Sequence, residues 1–90
     1  MKRAIITVVG KDTVGIIAKV CTFLSEANVN VLDISQTIVS GYFNMMMIVD
    51  VSAGTLDFNT LADRLSGVGE EIGCVIRIQL EDIFDMMHRI

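Results

Sequence analysis

The stretch Gly10–Gly15 constrains the fold more than any other, because the residue pattern changes from strand to helix across it. Residues 3–9 are rich in β-branched side chains, which favours a largely buried strand. After the stretch, apolar residues follow a 3.6-residue period, which predicts a helix from about Val14 to Ala27. The six residues are therefore the turn of a strand-turn-helix unit.

This turn is a candidate anion site, because the first N–H groups of a helix have no partners inside the helix. Asp12 is also a candidate N-cap of the helix, and that use competes with ligand contact. Glycine in such a turn is equally well explained by the needs of the backbone. A nucleotide-binding phosphate loop is not supported, since Ile16 and Ile17 follow Gly15 where Lys and then Ser or Thr would be required.

The rest of the chain predicts further strands and helices. They are a hairpin of strands at residues 30–39 and 42–51, a helix capped by Thr55 or Asp57, a strand at 74–80 and a short amphipathic helix at 81–90. With right-handed crossovers, the order βαββαβ predicts an α+β ferredoxin-like fold. Its four-stranded antiparallel sheet would carry two helices on one face, plus the short C-terminal helix. We expect one domain over residues 1–90, with its core at 3–80.

Side-chain alternation in the hairpin predicts which face each residue takes. The first strand should place Leu32, Ile34 and Ile38 on one face, and Asp33, Ser35 and Thr37 on the other together with Val31. In the second strand, the run Met45–Met47 puts thioethers on both faces. One face would then suit a core and the other a partner surface.

Composition narrows the class of partner. Apolar residues make up 52% of the 90, and the mean hydropathy of +0.61 is high for so small a domain, which predicts self-association as a homodimer. The net charge of −4 argues against nucleic acid and anionic membranes as partners. Without a membrane-length apolar run or a cleavage pattern, we expect a cytoplasmic protein.

No catalytic or metal-binding residue is predicted. Cys21 and Cys74 are isolated from each other and from further ligands, so they are expected to be small buried apolar residues, and we expect neither a metal nor a cofactor. His88, the single histidine, has no acid or nucleophile paired with it by sequence. The chain is therefore not expected to be an enzyme.

Three occupants of the ferredoxin-like fold can be compared on residues. An RNA-recognition domain is disfavoured, because Asn and Met follow the fragment Gly41-Tyr42-Phe43 where stacking aromatics are needed. An acylphosphatase-like enzyme would need an arginine in the first turn, which offers only Lys11. The third is a regulatory domain that binds a small molecule.

The sequence resembles a family of this third kind, the ACT domain family. The resemblance rests on the strand at 4–9, on Gly10-Lys11-Asp12-x-x-Gly15-Ile16, and on the run 27–34 followed by Ser35-Gln36. The resemblance covers residues 3–80. Within the family, the sequence is similar to small stand-alone ACT proteins and to the ACT domains of glycine-cleavage-type regulators. Val14 stands where a proline is common in the family, before the second glycine.

The resemblance implies that two copies pair and bind an amino acid or similar metabolite where the first turn meets the second strand of a neighbour. The ligand residues carried over by position are Gly10, Lys11, Asp12, Thr13, Val14, Gly15 and Ile16 in the turn, with Asn28 and Asn30 at the strand. Such a chain would sense an effector for a partner enzyme or regulator, or for its own assembly. A constitutive protein–protein interaction module without a small ligand remains the alternative.

Overall fold

The computed structural model describes residues 1–11 and 13–87. Along these residues the elements are β1 (Arg3–Lys11), α1 (Ile16–Glu26), β2 (Asn30–Val39), β3 (Tyr42–Asp50), α2 (Phe58–Ile72), β4 (Cys74–Leu80) and α3 (Glu81–Met87). The predicted order of strands and helices is therefore confirmed, and so is the presence of a short helix after β4. The last three residues of the predicted tail helix, 88–90, lie outside the described residues.

The four strands form one antiparallel sheet in the order β2-β3-β1-β4. The two edges of the sheet are consequently β2 and β4. Val39 pairs with Tyr42, and Tyr42 pairs with Lys11, so the end of β2 and the turn after β1 lie at the same end of the sheet. The predicted ferredoxin-like fold is confirmed.

One face of the sheet packs against α1 and α2 to form the hydrophobic core. The most deeply buried side chains are Ile6 and Val8 from β1, Met47 and Val49 from β3, Val20 and Leu24 from α1, and Leu61 and Leu65 from α2. Met45 is also buried, whereas Met46 is exposed on the opposite face. The prediction that the methionine run has side chains on both faces of β3 is confirmed, with Met45 and Met47 buried and Met46 exposed.

Strand β2 departs from the predicted alternation because it contains a β-bulge. Val31 pairs with Val49 and Asp33 pairs with Ile48, so Leu32 is an extra residue between them. Val31 therefore shares the helix-covered face with buried Val49, and its predicted grouping with Asp33 is wrong. One inserted residue reverses the facing of everything that precedes it in the strand.

The helix layer stops short of β2. Ile34 pairs with Met47 and Ile38 with Phe43, both of which are buried. Ile34 and Ile38 themselves are 40% and 57% exposed. The edge strand thus has an uncovered apolar row on the side of the helices.

Helix α3 follows β4 directly and lies against β1 and β4. Arg3 Nε lies 2.7 Å from Glu81 Oε2, although its N–H is not aligned on that oxygen for a hydrogen bond. Because both side chains keep about a third or more of their surface exposed to solvent, a pair of this kind contributes at most about 1 kcal/mol. In the described residues, no helix is long and apolar enough to cross a bilayer.

Candidate functional site

The connection between β1 and α1 lies two residues later than predicted, because β1 extends to Lys11 and α1 begins at Ile16. Gly15 occupies the N-cap position with φ 91° and ψ 5°, and its carbonyl accepts the first helical hydrogen bond from Lys19 N–H at 3.0 Å. The prediction that Asp12 is the N-cap is therefore wrong, because Gly15 holds that position. The placement of Asp12 itself lies outside the described residues.

The N-terminus of α1 is open to a ligand. Among the described residues, which leave out residue 12, no side chain hydrogen-bonds to it as a cap, and its first turn holds no acidic residue. A Cβ built on Gly15 would meet no heavy atom of those residues within 4 Å, and Thr13 and Val14 before it are exposed. The helix thus presents unpaired N–H groups and the positive end of its dipole to free space, which suits a carboxylate or another small anion.

The other predicted residues of the turn differ in their availability. Lys11 is exposed at the end of β1, whereas the side chain of Ile16 is buried and leaves only its backbone for a ligand. Gly10 has a packing reason of its own. A Cβ there would lie 2.6 Å from Cys74 Sγ and 2.7 Å from the carbonyl oxygen of Gly73. The close approach of β1 to the start of β4 requires this glycine.

The two predicted asparagines lie at the opposite end of α1. Asn28 follows the C-cap residue Ala27 and adopts φ 57°, which confirms the prediction that it ends the helix in the left-handed conformation. Asn30 is the first residue of β2. An α-helix rises 1.5 Å per residue, so the 11 residues of α1 span about 16 Å. Within one copy, a small ligand at Gly15 does not reach either asparagine.

A cavity of about 390 Å³ lies at the asparagine end of α1. The polar or reactive side chains along it are Cys21 and Ser25 from α1, Asn28 and Asn30, and Asp50 at the end of β3. The side-chain amide of Asn28 donates to the carbonyl oxygen of Ala53 at 2.8 Å. This bond fixes the amide, and the Oδ1 of Asn28 is then an acceptor.

Asp50 is a residue that sequence reasoning missed. Its Oδ1 accepts from Ser52 Oγ–H at 2.6 Å, from Ser52 N–H at 3.0 Å and from Lys2 N–H at 3.3 Å. These bonds, that from the Ser52 side chain first, hold the pKa of the Asp50 carboxyl below its ordinary value of 3.8. Asp50 is consequently ionised at neutral pH. Aspartate side chains commonly accept from the backbone N–H two residues further on in a turn, and this could have marked the position before the loop at Ser52.

The described residues contain no group of three or more His, Cys, Asp or Glu side chains that could hold a metal ion. Burial raises the pKa of the Cys74 thiol, which makes it a poor nucleophile at neutral pH. Cys21 is partly buried and free of any disulfide. The polar groups of the described residues near α1 are thus N–H donors at its N-terminal end, and oxygen acceptors with a negative charge at its other end.

Comparisons with known proteins bear on the family and the fold of this chain. The ACT domain model matches residues 2–79. A UPF0237 protein of Bifidobacterium longum (strain NCC 2705) is 63% identical over 90 residues, which is 100% of each chain. The structure of an ACT domain protein from Streptococcus pneumoniae superposes with a TM-score of 0.82 at 42% identity, over 93% of this chain and 94% of that one.

A more distant structure shares the fold alone. The crystal structure of a putative glycine cleavage system transcriptional repressor matches with a TM-score of 0.75 at 19% identity, over 88% of this chain and 45% of that one. The resemblance inferred from the first turn and from the start of β2 is thus confirmed by a family match that covers most of the chain. The chain belongs to the ACT domain family.

Proposed function

We propose that this chain is a non-catalytic regulatory sensor that binds an amino acid or a similar small metabolite between two copies of itself. ACT domains in general are regulatory domains that bind small effectors. The observation that carries the proposal is the bare N-terminus of α1, where Gly15 leaves the first-turn N–H groups open to solvent. A ligand carboxylate accepts from these N–H groups and interacts favourably with the helix dipole.

The second copy is needed because the predicted ligand residues lie at opposite ends of α1. We propose that β2 pairs antiparallel with β2 of the second copy, which continues the sheet across its free edge. Such pairing sets the start of one β2, at Asn30, against the end of the other, at Val39. Since the turn after β1 lies at the Val39 end, the Gly15 turn of one copy then approaches Asn28 of the other.

The same pairing would cover the uncovered apolar row on β2. Ile34 and Ile38 are exposed in one copy, on the side where the helices lie. Side-by-side sheets bring α1 of each copy next to these side chains, and removal of apolar surface from water stabilises the dimer at about 25 cal/mol per Å². In this proposal, pairing of the two β2 strands therefore covers the free edge of the sheet and also brings the two parts of the ligand site together.

A constitutive interaction module is the second candidate, and it is favoured by the same exposed apolar row. In that case a dimer or a complex with another protein would form regardless of small molecules. An acylphosphatase-like activity is disfavoured, because the cationic side chain of the turn is Lys11 and no arginine lies there. The downstream partner of the sensor would be an enzyme or a regulator that distinguishes the ligand-bound from the ligand-free dimer.

Two measurements on the purified protein test the proposal together. Thermal unfolding is followed in the presence of each common amino acid and of folate derivatives, and the mass in solution is measured by light scattering at micromolar concentration. We expect a dimer, and a ligand at a hundred times its Kd should stabilise it by about 2.7 kcal/mol. A dimer that no compound stabilises favours the interaction module, and a stable monomer removes the shared site.

A further inference from the structure

The cavity at the asparagine end of α1 is rich in acceptors. It combines the carboxylate of Asp50, the Oδ1 of Asn28 and the C-terminal end of α1, whose last turn contains no basic side chain. The C-terminus of a helix carries the negative end of its dipole. All three features therefore favour the same kind of guest, a small cation with N–H donors.

Asp50 is held in place, and no cationic side chain in the part of the chain that the structure describes neutralises it. Its three hydrogen bonds come from the backbone and hydroxyl groups of Lys2 and Ser52, and all of them end on Oδ1. The ion pairs found in the described residues, Arg3 with Glu81 and Lys19 with Glu71, do not involve it. Within the described residues, the positive charge that contributes to the lowering of its pKa is that of the amino terminus at Met1, and this is the smallest of the causes.

This pattern differs from that of a carboxylate that only closes a turn. The Asp50-to-Ser52 bonds do close a turn at the end of β3, and they occupy one carboxylate oxygen. The same residue also lines a cavity large enough for a small organic ion, together with an asparagine whose amide nitrogen is already committed to Ala53. An oriented acceptor and a charged acceptor facing one cavity are what a primary ammonium needs.

We propose that Asp50, assisted by Asn28, binds the ammonium group of the ligand and so makes the site specific for amino acids over simple carboxylates. The inference deepens the proposed function and rests on it for the carboxylate half, which the Gly15 turn of the second copy supplies. The ammonium half is complete within one copy. It can therefore be tested without the dimer.

The test uses glycine and its two halves as probes, with NMR amide spectra of the full chain as the readout. Methylammonium carries the ammonium half, and acetate carries the carboxylate half. We expect methylammonium to shift the Asn28 side-chain amide and the Ser52 N–H saturably. Acetate should instead shift the N–H groups of Ile16 and Ile17 at the start of α1.

Asp50→Asn removes the charge and keeps an oxygen that can accept from Ser52, so the variant should fold. It should weaken methylammonium and glycine binding by about tenfold or more, because a hydrogen bond to a charged group is lost. Acetate binding should stay unchanged. Asp63→Asn is the matched control, since it removes the same charge from an exposed position on α2 and should alter none of the three titrations.

Each outcome assigns the failure to one half of the site. Methylammonium shifts that persist in Asp50→Asn, or that are as large near Asp63 as near Asp50, overturn the role of Asp50. If the parent chain responds to methylammonium but not to acetate, the proposed carboxylate site is wrong and the role of Asp50 is supported. Glycine that binds no better than methylammonium in a proven dimer overturns the shared site, because two halves of one site must reinforce each other.

Discussion

Gly15 and Asn28 stand at the two ends of α1, and each has a positive φ, of 91° and 57° respectively. Gly15 opens the helix with its N–H groups bare, and Asn28 closes it with its side chain hydrogen-bonded to Ala53. The helix between them is about 16 Å long, by the rise of 1.5 Å per residue. The two predicted parts of the ligand site are thus joined by a rigid element that also keeps them apart.

Substitutions at Gly15 should separate the needs of the backbone from those of the ligand. Gly15→Ala places a side chain at a left-handed φ and should lower the free energy of unfolding by about 1 to 2 kcal/mol. In a domain of this size, each kcal/mol lowers the melting temperature by roughly 4–8 °C. Gly15→Asn should cost less, since Asn tolerates that region, and its side chain has room. Thermal unfolding should show that Gly15→Asn stays folded and loses ligand-induced stabilisation. Intact stabilisation would place the ligand elsewhere.

A charge on β2 should break the dimer without unfolding the monomer. Ile38→Lys puts an ammonium where the second copy would pack, and the dimer Kd should rise by at least about tenfold. Val75→Lys on the other edge strand is the control, because Val75 is 58% exposed and Ile38 is 57% exposed. Light scattering over a dilution series distinguishes them. Equal behaviour of the two variants would contradict pairing through β2.

Gly10→Ala should destabilise the fold whether or not a ligand binds. Its methyl group would overlap Cys74 Sγ and the carbonyl oxygen of Gly73, and overpacking of this kind costs about 1–3 kcal/mol. Gly67→Ala should have the opposite sign, up to about 1 kcal/mol stabilising, because that glycine is inside α2 with nothing within 4 Å of its Cβ. Urea unfolding measures both. A neutral Gly10→Ala would show that β1 and β4 can separate there.

Ser52→Ala should raise the pKa of Asp50 towards its ordinary value, since the Ser52 hydroxyl is the largest cause of its lowering. A depressed carboxyl pKa contributes stability above the unfolded-state pKa, and that contribution is lost as pH falls through the folded-state pKa. The variant should therefore be less stable than the parent at neutral pH, with the difference shrinking once pH falls below about 3.8. Carboxyl-carbon NMR titration and urea unfolding at two pH values check this. A difference that grows on acidification would contradict it.

The two cysteines should differ in reactivity. Cys74 is buried, and its burial raises the pKa of the thiol, so iodoacetamide should react with Cys21 first. Cys21 also lines the cavity beside Asn28 and Asp50. A bound amino acid should consequently slow alkylation of Cys21 and leave that of Cys74 unchanged, as mass spectrometry of the labelled peptides would show. Equal protection of both thiols would indicate general stabilisation instead.

Local patterns in the sequence were enough to predict the elements but not the details of their pairing. The strands at 30–39 and 74–80 have the predicted bounds, because side-chain alternation and turn residues act over a few positions. The bulge at Leu32 was missed, since only pairing with β3 reveals the extra residue. The packing requirement for glycine at position 10 was missed in the same way, because it comes from a contact with Cys74, 64 positions away in the chain.

The candidate site was predicted in part for the same reason. The turn is marked by the change from strand to helix, and its ligand role, like that of the asparagines, was carried over by position from the family resemblance and stays a prediction. Asn28 adopts the left-handed conformation expected of it. Asp50 was missed because two of its features, the bond from Lys2 and the shared cavity with Asn28, join segments distant in sequence. The predicted helix included Gly15, which in the structure lies just before the helix. Helical periodicity does not fix where the first turn begins.

The proposed site puts one half-site at each end of α1, so a two-fold symmetric dimer would hold two ligands, and each α1 would touch both. The first ligand to bind would immobilise both helices at once, and the second would then find its half-sites already aligned. Ligand binding should accordingly be cooperative, with a Hill coefficient above 1 that approaches 1 when the protein is diluted below its dimer Kd. The chain would then respond to its own abundance as well as to the metabolite.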